Sequence, residues 1–206
     1  MTLNLTQTVA YAIACWMNQY TQKEGLALTK MTLGIEIFLI NVSKLAIVYV
    51  LAISLGVLWQ TLAINLSFML VKRYSFGVHA LSSRLCTLIC CITFVFVPWV
   101  ATIQGLGINH VITVVAFSTV IIILYKYAPA DTKARPLVGT QARSHLKKKA
   151  VVCGLILMLL AILVSSDSIR LMLVLGAAFQ SIALLPITYK LLKRSEKNYE
   201  KYEHAK

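Results

Sequence analysis

The sequence predicts an all-α polytopic membrane protein, with about six transmembrane helices and an N-terminal amphipathic helix at the membrane interface. Three observations carry this. Of the 206 residues, 59% are hydrophobic and 13% are charged, against about a quarter charged in ordinary globular proteins. The mean hydropathy is +0.78. Apolar runs of roughly 20 residues recur, each long enough to cross a hydrocarbon core of ~30 Å. One domain over 1–206 is expected, with no room for a separate soluble one. The net charge of +13 therefore has no soluble basic domain through which to serve nucleic acid, and membrane topology explains it better.

Residues 1–30 read as a cytoplasmic or interfacial segment. They lack the charged start and small-residue cleavage site of a signal peptide. Val9, Ile13, Trp16, Met17 and Tyr20 recur at roughly helical spacing in a stretch too polar to cross, which reads as an amphipathic interfacial helix. Six spans follow, at about 33–54, 57–71, 86–104, 108–125, 150–165 and 170–189. The first two are joined by a short turn at Leu55 and Gly56. The second is marginal in apolar length and carries Gln60 and Asn65, so a four-span bundle with re-entrant segments stays open. Between the fourth and fifth spans lies a basic loop, 126–149, in which Pro129 and Pro136 forbid a continuous helix.

Positive charge decides sidedness. Eighteen of the twenty Lys and Arg residues fall on one side of this arrangement, with Lys44 inside a span and Arg170 on the opposite side. Both termini and the segment between the second and third spans therefore face the cytoplasm of a multi-pass cell-membrane protein. Five cysteines form no even framework in exposed loops, so disulfides are not implied. Cys90 and Cys91 lie one turn beyond Cys86, but no second histidine is near enough in sequence to suggest a metal site. No metal or cofactor is expected.

That segment reads "KRYSFGVHALSSRLC", with His79 seven positions before Cys86. A catalytic cysteine needs a base, or a setting that stabilises its thiolate. Hydrogen-bond reach is about 3 Å, whereas seven residues of unbroken helix rise by ~10 Å. A continuous helix from His79 to Cys86 cannot make a dyad. Gly77 permits an irregular backbone, and Ser82 or Ser83 is a good N-cap for a new helix. If the third span starts there, Cys86 sits in its first turn, where the helix dipole and Arg84 lower the thiol pKa. His79 can then fold back from the preceding loop. Spacing alone leaves two readings open: a catalytic pair, or an interfacial histidine beside a packing cysteine.

The stretch resembles the signature of the accessory gene regulator B (AgrB) family, membrane cysteine endopeptidases of Gram-positive quorum sensing. The likeness includes Lys72 and Arg73, Gly77, His79 with Ala80, the Ser-Ser pair, and the seven-residue step to Cys86. Downstream, "YAPADTKARPL" and "PITYKLLKR" are also similar to the family, and the likeness covers essentially the whole chain. Val78, beside the histidine, is a departure at a position where the family varies. The resemblance implies an AgrD-like propeptide substrate with an amphipathic N-terminal helix, a central cysteine-containing signal segment and an acidic tail. It implies Cys86 as nucleophile and His79 as general base, an acyl-thioester on Cys86, and cyclisation of the signal segment to a thiolactone. It also implies a homodimer.

Lys72 and Arg73 are either positive-inside anchors or site support, together with Gly77, Ser83 and Arg84. Lys133, Arg135, Lys147, Lys148 and Lys149 are candidates to attract an acidic propeptide tail or anionic lipid, although topology alone explains them. Asp131 is a candidate to orient His79, against its ordinary role as a turn former. Glu36 and Lys44 are ionisable groups within the first span. The competing class is a non-enzymatic membrane transporter or export partner for a small peptide. It would depend on intramembrane polar residues and not on Cys86.

Overall fold

A computed structural model of the chain describes residues 5–77, 83–131 and 137–192. Its elements are α1 (Leu5–Thr21), α2 (Gly25–Ser54), α3 (Leu58–Ser75), α4 (Ser83–Cys91), a π-helical segment (Ile92–Phe96), α5 (Val97–Ile103), α6 (His110–Tyr127), α7 (Thr140–Leu163), α8 (Asp167–Ile182) and α9 (Pro186–Leu191). No strand occurs among the described residues. Phe76 and Ala130 form an isolated parallel bridge.

The chain divides into two compact units at Leu51 and Ala52. The first holds α1 and most of α2. In α1 the fully buried positions are Ala10 and Ala14, one turn apart, whereas Val9, Trp16, Met17 and Tyr20 are exposed. Ile13, the fifth residue of the apolar stripe read from the sequence, is half-buried. In α2, Thr29, Thr32 and Ser43 donate to carbonyls one turn back, at Gly25, Leu28 and Leu39. These hydroxyls are satisfied inside their own helix, as an apolar surrounding requires.

In the second unit α3, α6, α7 and α8 pack on one another, around Val71, Phe117, Leu124, Leu157 and Val174. Two glycines let the backbones approach. A Cβ at Gly176 would collide with Ile64 O on α3, and one at Gly154 would lie 3.2 Å from Ile121 and Leu124 side-chain atoms on α6. Small residues at crossings and interhelical hydrogen bonds are what hold helices together where no hydrophobic drive separates them from lipid. Ser67 Oγ donates to Leu173 O across the same α3–α8 contact, at 2.6 Å. At the far end, Arg170 is 2% exposed. Its guanidinium donates to Ile108 O, Ala161 O and Val164 O at 2.8, 3.2 and 2.7 Å, and to the Asp167 carboxylate. It thereby occupies last-turn carbonyls of α7 that the helix leaves without donors.

Helical segments lie over each of the six expected spans, the third in consecutive pieces and the sixth broken between α8 and α9, and the turn between the first two falls at Gly56, with φ +69°. Only three stretches among the described residues are long and apolar enough to cross a membrane: α2, Leu85–Ile103 and α6. The other three fall short for separate reasons. α3 buries Thr61, Asn65 and Ser67. α7 opens with Arg143, Lys147, Lys148 and Lys149, which shortens its apolar part. α8 has 16 residues, a length of ~24 Å. The count of six therefore does not follow from helix length and composition. The loop expected over 126–149 is also shorter. α6 continues through Tyr127 and α7 begins at Thr140, so Lys147, Lys148 and Lys149 stand on a helix. Pro129 and Pro136 both fall between the two.

Candidate functional site

The site is built where α3 ends. Lys72 and Arg73 occupy its last turn, where cations suit the negative end of the helix dipole. Lys72 Nζ lies 5.0 Å from the Phe68 ring centroid, and Phe68 meets Phe94 edge to face at 5.1 Å. Arg73 stands 5.9 Å over Tyr74. The chain then leaves the helix through Phe76 at φ 59°, ψ −121° and Gly77 at φ +105°. Phe76 adopts the geometry of the first central position in a type II′ turn, one that glycine normally fills.

This exit is held from two sides. Ala130 N–H donates to Ser75 O at 2.9 Å, and Gly77 N–H donates to Ala130 O at 3.2 Å. Gln180 Nε2, from α8, donates to Ser75 Oγ at 3.0 Å and to Phe76 O. Gly77 is needed twice over. Its φ is left-handed, and a Cβ there would lie 3.2 Å from Ala183 O and Leu184 Cδ2 and 3.4 Å from Gln180 Nε2.

Residues 78–82 follow, so His79 lies outside the described residues, as do Lys133 and Arg135 and the side chains of Ser83 and Arg84. α4 begins at Ser83, and Cys86 is its fourth residue, half-buried and free. The helix then passes into the π segment and reaches Pro98. Proline has no N–H to offer the carbonyl one turn back. Thr61 Oγ1, fully buried on α3, donates to that carbonyl, Phe94 O, at 2.7 Å. The helix carrying Cys86 is thus fastened to α3 by a bond that replaces a backbone one.

Beside the exit turn lies a cavity of about 720 Å³. Its wall includes Ala130, the residue bridged to Phe76, and Leu184, whose Cδ2 would lie 3.2 Å from a Cβ at Gly77. Lys126 at the end of α6 and Arg143 and Lys147 on α7 converge on it. Arg143 and Lys147 are one turn apart and so share a face. Arg143 Nη1 donates to Leu137 O at 3.0 Å, and Lys147 Nζ lies 5.1 Å over Tyr125. Asp131 also lines the cavity, 5% exposed. Tyr189 Oη donates to its backbone carbonyl at 3.0 Å. Lys148 and Lys149 are exposed, and Lys149 Nζ stands 5.9 Å over Tyr74. Among the described residues, Lys147 is the one basic residue proposed from sequence as a substrate contact that lines the cavity.

Sequence reasoning counted Lys126 and Arg143 only as topology charges and passed over Gln180 and Tyr189. The Arg143–Lys147 spacing was the available signal for Arg143. Nothing local marks Gln180. Among the described residues no group of three or more His, Cys, Asp or Glu side chains could hold a metal ion.

Comparison with known proteins gives one consistent result. The family model described as accessory gene regulator B matches residues 6–184. A "Putative AgrB-like protein" of Listeria monocytogenes is 42% identical over 174 residues, 84% of each chain. One from Clostridium acetobutylicum is 34% identical over 202 residues, 98% of this chain and 96% of the relative. The "Accessory gene regulator protein B" of Staphylococcus intermedius is 32% identical over 175 residues, 85% of this chain and 91% of the relative. No solved structure matches the chain.

Proposed function

The chain belongs to the accessory gene regulator B family, part of accessory gene regulator quorum sensing, and from that premise we propose that it is a membrane-embedded cysteine endopeptidase and peptide cyclase. Cys86 is the nucleophile and His79 the general base. The imidazole takes the thiol proton as sulfur attacks the carbonyl between the signal segment and the tail of an AgrD-like propeptide. The peptide C–N bond breaks, and the proton passes to the leaving amine. The signal segment remains as an acyl-thioester on Cys86. A thiol within it attacks that carbonyl, the bond to Cys86 breaks, and a thiolactone leaves (a lactone if a serine attacks).

The observation that carries this reading is Cys86 in the first turn of α4. The first N–H groups of a helix have no acceptor within it, and they sit at the positive end of its dipole. An oxyanion is favoured there. An internal thiol reacts at an effective concentration that water does not match, and a site that excludes water favours the ring over hydrolysis. The basic cavity beside the exit turn suits the acidic tail, with Lys126, Arg143 and Lys147 in contact. Lys148 and Lys149 add to the local field, and Lys133 and Arg135, outside the described residues, are proposed to serve the same tail. The protein works as a homodimer in the cell membrane, with its site and both termini cytoplasmic.

The test is co-expression with the propeptide, following the peptide by mass spectrometry for the wild type, Cys86→Ala and His79→Ala at matched membrane levels. The wild type cuts and both variants leave the propeptide whole. Cutting by Cys86→Ala would put the non-enzymatic transporter ahead.

A further inference from the structure

We infer that Thr61 is a positioning residue for Cys86: by holding the π-helical segment Ile92–Phe96 it fixes the rotation of the helix on which the nucleophile stands. This rests on the reading of Cys86 as the nucleophile.

A π turn inside an α-helix is uncommon and takes one residue more than an α turn. Here Val97 N–H closes it on Ile92 O, five residues back. Two side chains of α3 hold the segment at a single residue. Thr61 Oγ1 donates to Phe94 O at 2.7 Å, and the Phe68 ring meets the Phe94 ring edge to face at 5.1 Å. Thr61 is fully buried and Phe94 is 6% exposed, so the bond is shielded from water. Pro98 lacks the N–H that an α-helix would offer to Phe94 O. Thr61 thus takes a carbonyl without breaking a backbone bond, and ties the helix to α3 at one height and one rotation.

That rotation decides where Cys86 stands. Cys86 precedes Pro98 by twelve positions. In an unbroken α-helix Pro98 would lie about 120° round the axis from Cys86; with one residue absorbed by the π turn the angle falls to about 20°. Pro98 is buried, and α5 packs on α8. The π turn therefore brings Cys86 to the bundle side of its helix, where it is half-buried, whereas Leu85 beside it is 39% exposed. Without the π turn, α4 slips by one residue relative to α5. Cys86 moves to the place that Leu85 holds, and Thr87 comes to the place of Cys86. A slip of one residue displaces Cα by ~3.8 Å. Misplacement by about 1 Å is already enough to cost on the order of 100-fold in rate.

The test uses the full chain in membranes with its propeptide, at matched membrane levels, reading kcat and KM separately. Thr61→Val keeps the shape and loses the donor. Its kcat falls roughly 100-fold while KM stays within about two-fold. Thr61→Ser keeps the hydroxyl and stays close to wild type. The deciding variant moves the thiol by one position, combining Cys86→Ala with Thr87→Cys. In an otherwise wild-type chain this pair does not cut. Added to Thr61→Val, it recovers at least about tenfold of the lost kcat, because position 87 has come to the place of Cys86. The inference is overturned by a wild-type kcat in Thr61→Val, by a loss confined to KM, or by a Thr61→Ser chain as slow as Thr61→Val. It is equally overturned if the moved thiol recovers nothing, since a bond that merely stabilised the fold would behave so. A wild-type chain that does not cut, or a Cys86→Ala chain that does, refutes the peptidase reading instead.

Discussion

Replacing Gly176 by Ala measures how closely α3 and α8 must approach. The new Cβ would collide with Ile64 O, and it would lie 2.9 Å from Ser67 Cβ and 3.0 Å from Phe68 N. Ile64 O and Phe68 N are backbone atoms, and no change of rotamer moves them. The helices have to separate. Overpacking of this kind costs about 1–3 kcal/mol, and the unyielding neighbours put this case at the upper end. Separation also stretches the 2.6 Å bond from Ser67 Oγ to Leu173 O; such bonds average ~0.6 kcal/mol in membrane bundles. The better helix propensity of Ala returns ~1 kcal/mol. The net loss is ~2.5 kcal/mol, a Tm lowered by roughly 5–10 °C for a chain of this size. The internal control is Gly154→Ala, whose Cβ would meet only Ile121 Cγ1 and Leu124 Cδ1, both at 3.2 Å. Those are side-chain atoms that can yield, so the propensity gain offsets the crowding and Tm stays within ~2 °C. The assay is thermal unfolding of the detergent-solubilised chain, followed by intrinsic tryptophan fluorescence. A Gly176→Ala variant as stable as Gly154→Ala would refute a close helix crossing at this position.

Three further outcomes are expected. Gly77→Ala combines a φ of +105° with contacts at 3.2 Å to Ala183 O and Leu184 Cδ2, a strain of about 1–3 kcal/mol. Propeptide cleavage falls at least tenfold while the variant still inserts, and unchanged cleavage would contradict the geometry of the exit turn. Reversing both Arg143 and Lys147 to Glu raises KM for an acidic-tailed propeptide and flattens its salt dependence; kinetics at two ionic strengths check this. Arg170→Met leaves Ile108 O, Ala161 O and Val164 O without that donor and costs ~3 kcal/mol or more, at about 1–3 kcal/mol for each buried acceptor left unpaired. Asp167→Asn costs less than ~1 kcal/mol, because the Asp167 side chain is 64% exposed; thermal melts of the two variants separate them.

Local features were legible because each is decided by a few neighbouring residues. The apolar runs placed a helix over each expected span. Gly56 marked the turn between α2 and α3, and the two prolines marked the interval between α6 and α7. The Ser-Ser pair before Arg84 pointed to a fresh helix, and α4 begins at Ser83, with Cys86 in its first turn. The length of the basic loop was misjudged because Arg143, Lys147, Lys148 and Lys149 are themselves adequate helix formers. Their charge signalled exposure to water, which an exposed helix satisfies as well as a loop does.

The meetings between segments far apart in the chain come from packing alone. Gln180 reaches Phe76 across 104 positions, Ser67 meets Leu173 across 106, and Thr61 meets Phe94 across 33. Periodicity shows which face of a helix is apolar. It does not show where along that face another helix crosses, and a shift of one turn would give each of these donors a different acceptor. That register is set by close contacts such as Gly176 against Ile64 and Ser67. The anchoring of the exit turn and the convergence of Lys126, Arg143 and Lys147 on one cavity are consequences of packing, written in no single stretch of the sequence.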